Sequence, residues 1–420
     1  MTPLQLITGG FIGVGLAAGT STIVGASLYD FMGARSQKYL NYHPNKKNLR
    51  KPPLISVIVV AHNHEDTIKQ CLVSITKSTT RKYEVIVVDS GSTDDTKLLV
   101  TKFIKTHPKK SIQLIATRKP GHQAAVASGL RRAKGELALV LGASAYVAPD
   151  TLKNLVQPFC LSPDLQVLTA HTKTVSQPTV ASLVQQFDDA TRSQALKLGH
   201  LTRTSYAGGL VNSVYRRHTL AKLLRINVLH SGEATIFASF GSKQLRAGYM
   251  ANALIYNQPA KSYLSLLSQK YVQKLNNLRA LSIYRPMLYK GKKNSRLRVF
   301  ASTIATYLWL VWLLVFPVIL GYFTFLAISS HVIFLLGLSW LSFSTFLLLA
   351  IWGSEHTRFM KKINQSLLVP IMFGLFYVTA LVQFAVFLKL LVNTVKTVGK
   401  KFARLGLAIA PTRFKATAKV

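Results

Sequence analysis

The chain has 420 residues, with 52 Lys and Arg against 14 Asp and Glu, and its formal net charge is +38. Its length allows one or two domains together with membrane segments, and its two cysteines, Cys71 and Cys160, exclude a disulfide framework or a cysteine-based metal site. No known nucleic-acid motif accompanies the positive charge, so nucleic acid is not an expected partner, and basic residues beside long apolar segments favour anionic lipid or only solvate the surface.

The N-terminal segment is long and apolar enough to cross a bilayer. Residues 4–29 contain no charged side chain, which predicts a transmembrane helix. Its glycines are spaced for close helix packing in lipid, whereas a cleaved signal peptide would need a basic leader that this segment lacks. Basic residues are frequent in the linker 30–52, so the positive-inside rule places the following domain in the cytoplasm.

Two strand patterns organise the domain predicted for residues 53–286. The runs LISVIVV and YEVIVV are rich in Val and Ile, end in polar residues and precede helical patterns, which indicates a parallel sheet. Ligands bind at the carboxyl ends of the strands in such sheets. We therefore expect one crevice lined by residues that follow the two strands, namely His62, Asn63, Glu65 and Asp89.

The remaining elements of this domain follow from their patterns. Helices are predicted at residues 68–75, 124–133 and 181–198, and strands at 111–116 and 136–141. Ser92 and Thr93 are expected to cap the helix after the second strand, with Asp94 and Asp95 in its first turn rather than at a metal site.

Two adjacent acidic residues, Asp188 and Asp189, fall within the last of these predicted helices. Neighbouring positions point to different helix faces, and Asp188 is one turn from Arg192. We interpret the pair as a surface feature in which Asp188 contacts Arg192.

The C-terminal third of the chain is again apolar. Membrane helices are predicted at residues 299–328, 332–352 and 366–392, followed by a basic tail at 393–420. Simple counting places this tail outside the cell, against the positive-inside rule, so either one segment lies in the membrane interface or the tail breaks the rule. The prediction is an integral membrane protein of the plasma membrane with a cytoplasmic domain.

Residues 53–279 resemble the family-2 glycosyltransferases, which have the GT-A fold. The first motif is SVIVVAHNHEDTIKQCL, and the second and most specific is VVDSGSTDDT. The third is the run 121–150, with Gly129, Ala133 and Gly135, and the fourth is GLVNSVYRR at 209–217. Pro259 and Gln269 keep the family's spacing between a proline and its Q-x-x-R-W motif, and the flanking apolar helices resemble the membrane-bound branch of the family.

The resemblance implies an α/β fold with a mostly parallel, nucleotide-binding sheet flanked by helices, and transmembrane helices at both ends. It implies that Ala61, His62 and Glu65 border the nucleotide and that Asp89 accepts a hydrogen bond from the base, expected to be uracil. A lone Asp after a strand is equally suited to cap the next helix, and both roles are compatible. The implied substrates are a UDP-linked sugar and a lipid-linked or polysaccharide acceptor.

The sequence departs from the family at the reaction centre. Gly142-Ala143-Ser144 stands where the family's D-x-D binds Mg²⁺ or Mn²⁺, so the carboxylates that a hard cation prefers are missing. The position of the family's general base is occupied by Ala234, which cannot accept a proton. The neighbouring Glu233 either replaces that base or pairs with an arginine. In the Q-x-x-R-W motif, Val272 and Gln273 replace Arg and Trp. Because the metal ligands are missing, no cofactor is expected.

Cationic side chains are candidates to replace the metal at the diphosphate or to contact the acceptor, or they are solvated surface. They are Arg118, Lys119, His122, Arg216 and Arg217.

Two functions are compatible with these observations. One is a membrane-bound glycosyltransferase at the cytoplasmic face, and the other is an inactive relative that binds a nucleotide sugar, a glycan or a partner subunit. Lipid or nucleic-acid binding alone has only the charge in its favour.

Overall fold

The computed structural model of the protein describes residues 52–80, 82–117, 121–201, 210–225 and 246–270. The four predicted membrane segments, the basic linker up to residue 51, the C-terminal tail and the end of the soluble domain lie outside these residues. Among the helices described, none combines the length and the apolar character that crossing a bilayer requires.

Strands and helices alternate through most of the described part of the chain, as the sequence patterns predicted. The boundaries differ from the predicted ones by a few residues. In chain order the elements are β1 (Ile55–Ala61), α1 (Glu65–Thr76), β2 (Tyr83–Asp89), α2 (Thr96–Thr106), β3 (Ile112–Ala116), α3 (His122–Arg132), β4 (Leu137–Gly142), β5 (Ala145–Val147), α4 (Thr151–Leu161), β6 (Leu165–Thr174), α5 (Val180–Leu201), β7 (Ser213–Arg216), α6 (Arg217–Arg225) and β8 (Arg246–Asn257), followed by helix α7 at residues 263–270.

The eight strands form one sheet in the order β3-β2-β1-β4-β7-β6-β8-β5. Strands β1 to β4 are mutually parallel, and β7 runs antiparallel to both of its neighbours, β4 and β6. Because β6 and β8 are parallel, they point the same way as β1 and β4. The carboxyl ends of β1, β2, β4, β6 and β8 and the start of β7 therefore share one edge of the sheet. This mixed α/β sheet with flanking helices confirms the α/β part of the fold class expected from sequence, and the membrane helices at both ends stay a prediction.

Helices cover both faces of the sheet, which explains why most residues of the first strands are apolar. Every residue of β1 is buried, and alternate side chains enter two different cores. Helices α1, α2 and α4 pack on one face, and α3 and α6 pack on the other. Cys71 is buried in the first core, where desolvation raises the pKa of its thiol to about 12, and Cys160 is half-buried; both thiols are free.

A buried carboxylate joins three segments at the amino ends of the strands. Glu84, which is 4% exposed, accepts hydrogen bonds from the Ser56 hydroxyl at 2.6 Å and from the backbone amides of Lys134 and Gly135 at 2.6 and 3.2 Å. A Cβ atom at Gly135 would lie 2.6 Å from the carbonyl oxygen of Leu54. The position therefore requires glycine, because the turn before β4 lies directly against the backbone of β1.

Replacing Gly135 tests whether the turn before β4 packs directly against the backbone of β1. Gly135→Ala is expected to destabilise the protein by roughly 1–3 kcal/mol, since the added methyl group must displace backbone atoms. The melting temperature of the full-length protein in detergent measures this effect. Gly142→Ala is the matched control, because a Cβ there meets nothing closer than 3.9 Å. Equal melting temperatures for the two variants would contradict the account.

Candidate functional site

The loops that follow β1 and β2 are joined by two reciprocal pairs of hydrogen bonds, which we call the loop clasp. In the first pair, the Asn63 amide donates to the Ser92 hydroxyl at 3.0 Å, and the Thr93 amide donates to the side-chain oxygen of Asn63 at 2.9 Å. Asn63 has a φ of 55°, a left-handed conformation that asparagine tolerates better than most residues. Both the backbone and the side chain of Asn63 thus contribute to the clasp.

The second pair joins the beginnings of two helices. The Glu65 amide donates to Asp94 Oδ2 at 3.0 Å, and the Asp95 amide donates to Glu65 Oε2 at 3.0 Å. The other oxygen of Asp94 accepts the Thr96 amide at 3.1 Å. Asp94 therefore satisfies one free amide at the start of α1 and one at the start of α2.

The clasp corrects two expectations about the start of α2. The helix begins at Thr96, and the side chains of Ser92 and Thr93 bond to other residues instead of capping it. Asp94 and Asp95, expected in its first turn, lie just before it, and Asp94 bonds to its first amide. The Glu65 carboxylate accepts a backbone amide of the neighbouring loop, and its place beside a nucleotide stays a prediction.

Asp89 closes the turn after β2. Its side chain is 4% exposed, and Oδ1 accepts the amide of Ser92 at 3.2 Å and its hydroxyl at 2.5 Å. Asp89 stands beside Ala61 in the parallel register of β1 and β2, so both lie at the same strand ends. Asp89 thus holds the turn that follows β2 and does not cap α2, which begins seven residues later at Thr96. Contact with a nucleotide base stays a prediction.

His62 lies next to this turn with its ring exposed to solvent. Its Nδ1 is 3.1 Å from the carbonyl oxygen of Ser90. A carbonyl only accepts, so Nδ1 must carry the hydrogen, and in the neutral ring Nε2 is an acceptor. Ala61, His62, Glu65 and Asp89, which the sequence placed around the nucleotide, therefore lie together at one edge of the sheet.

The degenerate D-x-D position lies at the same edge. Gly142 is paired with Val60 at the end of β4, and the Ala143 amide donates to the Val60 carbonyl oxygen at 3.0 Å. Ser144 offers only a neutral hydroxyl, and its carbonyl oxygen accepts the amide of Gln258 at 3.1 Å. Across the described residues, no three His, Cys, Asp or Glu side chains come together as metal ligands would. This set of donor atoms does not fit the divalent ion of the family.

Arg216 and Arg217 lie at the wrong end of the sheet for the role expected of them. Arg216 is paired with Leu137, at the start of β4, because β7 runs antiparallel to that strand. Its guanidinium donates to the Leu165 carbonyl oxygen at 2.7 Å, and Arg217 donates to that of Ala133 at 2.8 Å. The hypothesis that they face the diphosphate is therefore wrong; they bind carbonyl groups at the amino ends of the parallel strands.

Two other candidates in the described chain are exposed. His122 begins α3 after the third strand of the parallel set, and Gln269 lies in α7. The other candidates lie outside the described residues; they are Arg118, Lys119, Glu233, Ala234, Val272 and Gln273.

One cation near this edge, Lys261, was not among the residues that the sequence indicated. Its Nζ lies 2.7 Å from the carboxylate of Asp66 in α1, and both side chains are exposed. It follows the exit of β8, three residues after the Gln258 amide that contacts Ser144. Only the strand order brings this distant segment to β4, so no local sequence pattern indicates it.

The surface interpretation of Asp188 and Asp189 is wrong for one of the two residues. Asp188 is exposed and lies 2.6 Å from Lys270 of α7. Asp189 is half-buried, and its Oδ2 accepts the Thr174 hydroxyl at 2.6 Å, at the carboxyl end of β6. Desolvation by burial raises the pKa of Asp189 to about 6, against the hydrogen bond from Thr174 and the charge of Arg192. This carboxylate is thus part of the edge that holds the other site residues.

Comparison with known proteins places these observations in a family. Residues 56–224 match the family described as Glycosyl transferase family 2. This segment is a family-2 glycosyltransferase domain, which confirms the resemblance seen in the motifs. It contains the loop clasp, the degenerate D-x-D position and Asp189.

Known relatives are distant. The chain is 23% identical over 168 residues to the poly-beta-1,6-N-acetyl-D-glucosamine synthase of Staphylococcus epidermidis, covering 40% of this chain and 39% of that protein. It is 23% identical over 222 residues to the undecaprenyl-phosphate 4-deoxy-4-formamido-L-arabinose transferase of Pectobacterium atrosepticum, covering 52% and 65% respectively. The solved mannosyltransferase PcManGT of Pyrobaculum calidifontis, in complex with GDP-Man and Mn²⁺, is 19% identical with a TM-score of 0.46, covering 82% of this chain and 100% of that one. The matched segment thus spans less than two thirds of either curated relative.

The clasp predicts how Asp94 affects local stability. Asp94→Ala is expected to speed hydrogen exchange of the Glu65 and Thr96 amides by about fivefold or more, as for the loss of a helix cap. Asp95→Ala is the control, because the Asp95 side chain makes no capping hydrogen bond. Hydrogen exchange read by mass spectrometry distinguishes the variants, and equal exchange in both would contradict the role of Asp94.

Acid is expected to weaken the same contacts. Desolvation raises the pKa of Asp94, but hydrogen bonds from the Thr96 hydroxyl and from the Glu65 and Thr96 amides outweigh it, so the pKa is lowered. A lowered carboxylate pKa stabilises the fold above the unfolded pKa, and this contribution is lost as the pH falls through the folded value. Exchange of the two amides, corrected for its intrinsic pH dependence, should therefore rise below about pH 4 in the wild type and not in Asp94→Ala.

Proposed function

We propose that the chain transfers a sugar from a UDP-linked donor to a lipid-linked or polysaccharide acceptor at the cytoplasmic face of a membrane. The observation that carries this proposal is the edge of the sheet where the ends of β1, β2 and β4 meet. There the loop clasp fixes the two loops around Ala61, His62 and Asp89, inside a family-2 glycosyltransferase domain. Ligands of open α/β sheets bind at such an edge.

The names of two relatives support this class of acceptor. One acts in poly-N-acetylglucosamine synthesis, and the other is a transferase whose name includes undecaprenyl phosphate. Both acceptors fit a chain whose sequence predicts membrane helices on either side of the domain. The basic linker and tail suit a surface of anionic lipid.

Each part of the edge has a proposed task. The buried turn at Asp89 and the exposed ring of His62 hold the nucleotide, with the start of α2 near its phosphates. Without carboxylates at Gly142 and Ser144, no bound metal ion offsets the charge of the diphosphate, so basic side chains must do so. Lys261 lies beside this edge and is a candidate for this role. In this scheme the family's divalent ion has no role in binding.

A second candidate function is a binding protein without transfer activity. The specific observation in its favour is the set Gly142, Ser144 and Ala234, since it removes the carboxylates of the metal site and of the general base. Such a protein would still bind the nucleotide through the loops of β1 and β2. Binding and turnover therefore have to be measured separately.

Calorimetry with UDP tests the scheme without a metal. The full-length protein is expected to bind UDP with the same affinity in EDTA and in millimolar Mn²⁺. The variant that combines Gly142→Asp with Ser144→Asp is expected to gain affinity in Mn²⁺, because carboxylates supply the oxygen ligands that the cation prefers. Gly142→Asn with Ser144→Asn is the control of equal size without charge. A wild-type affinity that rises tenfold or more with Mn²⁺ would overturn the scheme.

Turnover is measured in membrane vesicles that contain the full chain, with UDP-N-acetylglucosamine and UDP-glucose as probes. Label that enters the lipid or polymer fraction, together with release of UDP, supports the transferase. Binding of UDP with no release from either donor would contradict it and favour the binding protein.

A further inference from the structure

A row of polar side chains continues the edge beyond the degenerate metal position. Asn212 stands at the start of β7, and its amide donates to the Val140 carbonyl oxygen at 2.8 Å, directly before Leu141 and Gly142. Its side-chain Nδ2 lies 3.4 Å from the Thr172 hydroxyl and 3.5 Å from Asn257 Oδ1. The row therefore crosses from β4 through β7 to the ends of β6 and β8.

Asp189 joins this row from the helix above it. Thr172 and Thr174 are two residues apart on β6, so their side chains lie on the same face of the sheet, about 7 Å apart. Asn212 contacts the first of them, and Asp189 accepts a hydrogen bond from the second. Asp189 and Asn212 are thus neighbours on one face of the sheet.

Helix α5 holds Asp189 in this position through a second contact. Gln185 is one helical turn before Asp189 and therefore on the same face of the helix. Its side-chain oxygen accepts the Ala260 amide at 2.9 Å, in the segment that leaves β8. This face of α5 is consequently directed towards the shared edge and not towards bulk solvent.

Asn212 supplies an independent sign that the row receives a ligand. Its side chain is 7% exposed, yet among the described residues its buried Oδ1 has no hydrogen-bond partner. Leaving a buried amide oxygen unpaired is costly, and such groups usually meet a ligand or a water molecule. A sugar hydroxyl is a donor of the right kind for this oxygen.

We propose that Asp189 is the carboxylate that accepts the proton of the acceptor hydroxyl, in a subsite formed with Asn212, Asn257 and the two threonines of β6. The proposal rests on the transferase function above. It assigns proton transfer to a residue of α5, because alanine occupies the family position for the base at Ala234.

In the proposed reaction, proton transfer to Asp189 accompanies formation of the glycosidic bond. The acceptor O–H proton moves to a carboxylate oxygen of Asp189, and the acceptor oxygen forms a bond to the anomeric carbon of the donor. The bond between that carbon and the diphosphate oxygen breaks, and its electron pair leaves with the UDP. Asp189 then releases the proton to water.

The electrostatic surroundings suit a base that works near neutral pH. Desolvation raises the pKa of Asp189 to about 6, and the charge of Asp188 adds to this, while Thr174 and Arg192 act in the opposite direction. From α7, Lys270 reaches Asp188. Lys173 neighbours Thr174 on β6, and strand alternation places its side chain on the other face. A base must be deprotonated to act, so the rate is expected to rise as the pH increases through about 6.

The experiment uses membrane vesicles with the full chain and the donor that gives turnover, UDP-N-acetylglucosamine or UDP-glucose. Asp189→Asn keeps an oxygen that accepts the Thr174 hydroxyl, so the fold and the affinity for UDP should persist. Transfer is expected to fall by about 100-fold or more, and the acidic limb of the pH profile should disappear. Asp188→Asn, at the exposed neighbouring position, is the control and should keep the rate at high pH. Its acidic limb should persist and move slightly to lower pH, because a charge that raises the pKa of Asp189 is removed.

Thr174→Val provides a second variant of nearly the same shape. It removes a hydrogen bond that lowers the pKa of Asp189, so the acidic limb should move to higher pH, which a purely structural role would not produce. If Asp189→Asn transfers sugar with an unchanged rate and pH profile, the role of Asp189 is overturned and the proposed function still stands. Wild-type protein that binds UDP and transfers from neither donor would overturn the proposed function and this role together.

Discussion

The reciprocal hydrogen bonds of the loop clasp are the interaction on which the candidate site depends. Parallel strands bring their carboxyl ends together, but they leave the following loops free to separate. Asn63 and Glu65 prevent this, because each exchanges backbone and side-chain hydrogen bonds with the loop after β2. Two residues of the family's opening motif thus shape the proposed nucleotide site, and they do so by contact with protein atoms.

The site also shows a division along the sheet. Beyond β4, the strand order changes from parallel neighbours to the antiparallel β7, and the polar row of Asn212, Thr172 and Thr174 begins there. The half proposed to bind the nucleotide contains the loop clasp, whereas the position between the halves, at Gly142 and Ser144, has no carboxylate. Asp189 supplies a carboxylate on the far side, at the end of β6. The arrangement is compatible with chemistry in which the two substrates occupy different halves of one edge.

Sequence predicted the local parts of this structure and missed those that depend on long-range pairing. Runs of Val and Ile fixed β1 and β2, and the motifs placed Ala61, His62 and Asp89 at one edge, because those signals lie within one strand and its loop. Arg216 and Lys261 could not be placed in this way, since their positions follow from the antiparallel β7 and from the pairing of β8 with β6. Asp189 was misjudged because its burial depends on the end of β6, which helical periodicity does not reveal.

Glu84 has a consequence for how the domain folds. Its three hydrogen-bond donors come from β1 and from the turn before β4, at sequence separations of 28, 50 and 51 residues. With only β1 and β2 in place, the carboxylate would be buried with one hydroxyl partner, and burial of an unsatisfied charge is costly. The arrival of β4 removes that penalty. Partly folded forms that contain β1 and β2 alone are therefore disfavoured, and β1, β2 and β4 are expected to form as one cooperative unit.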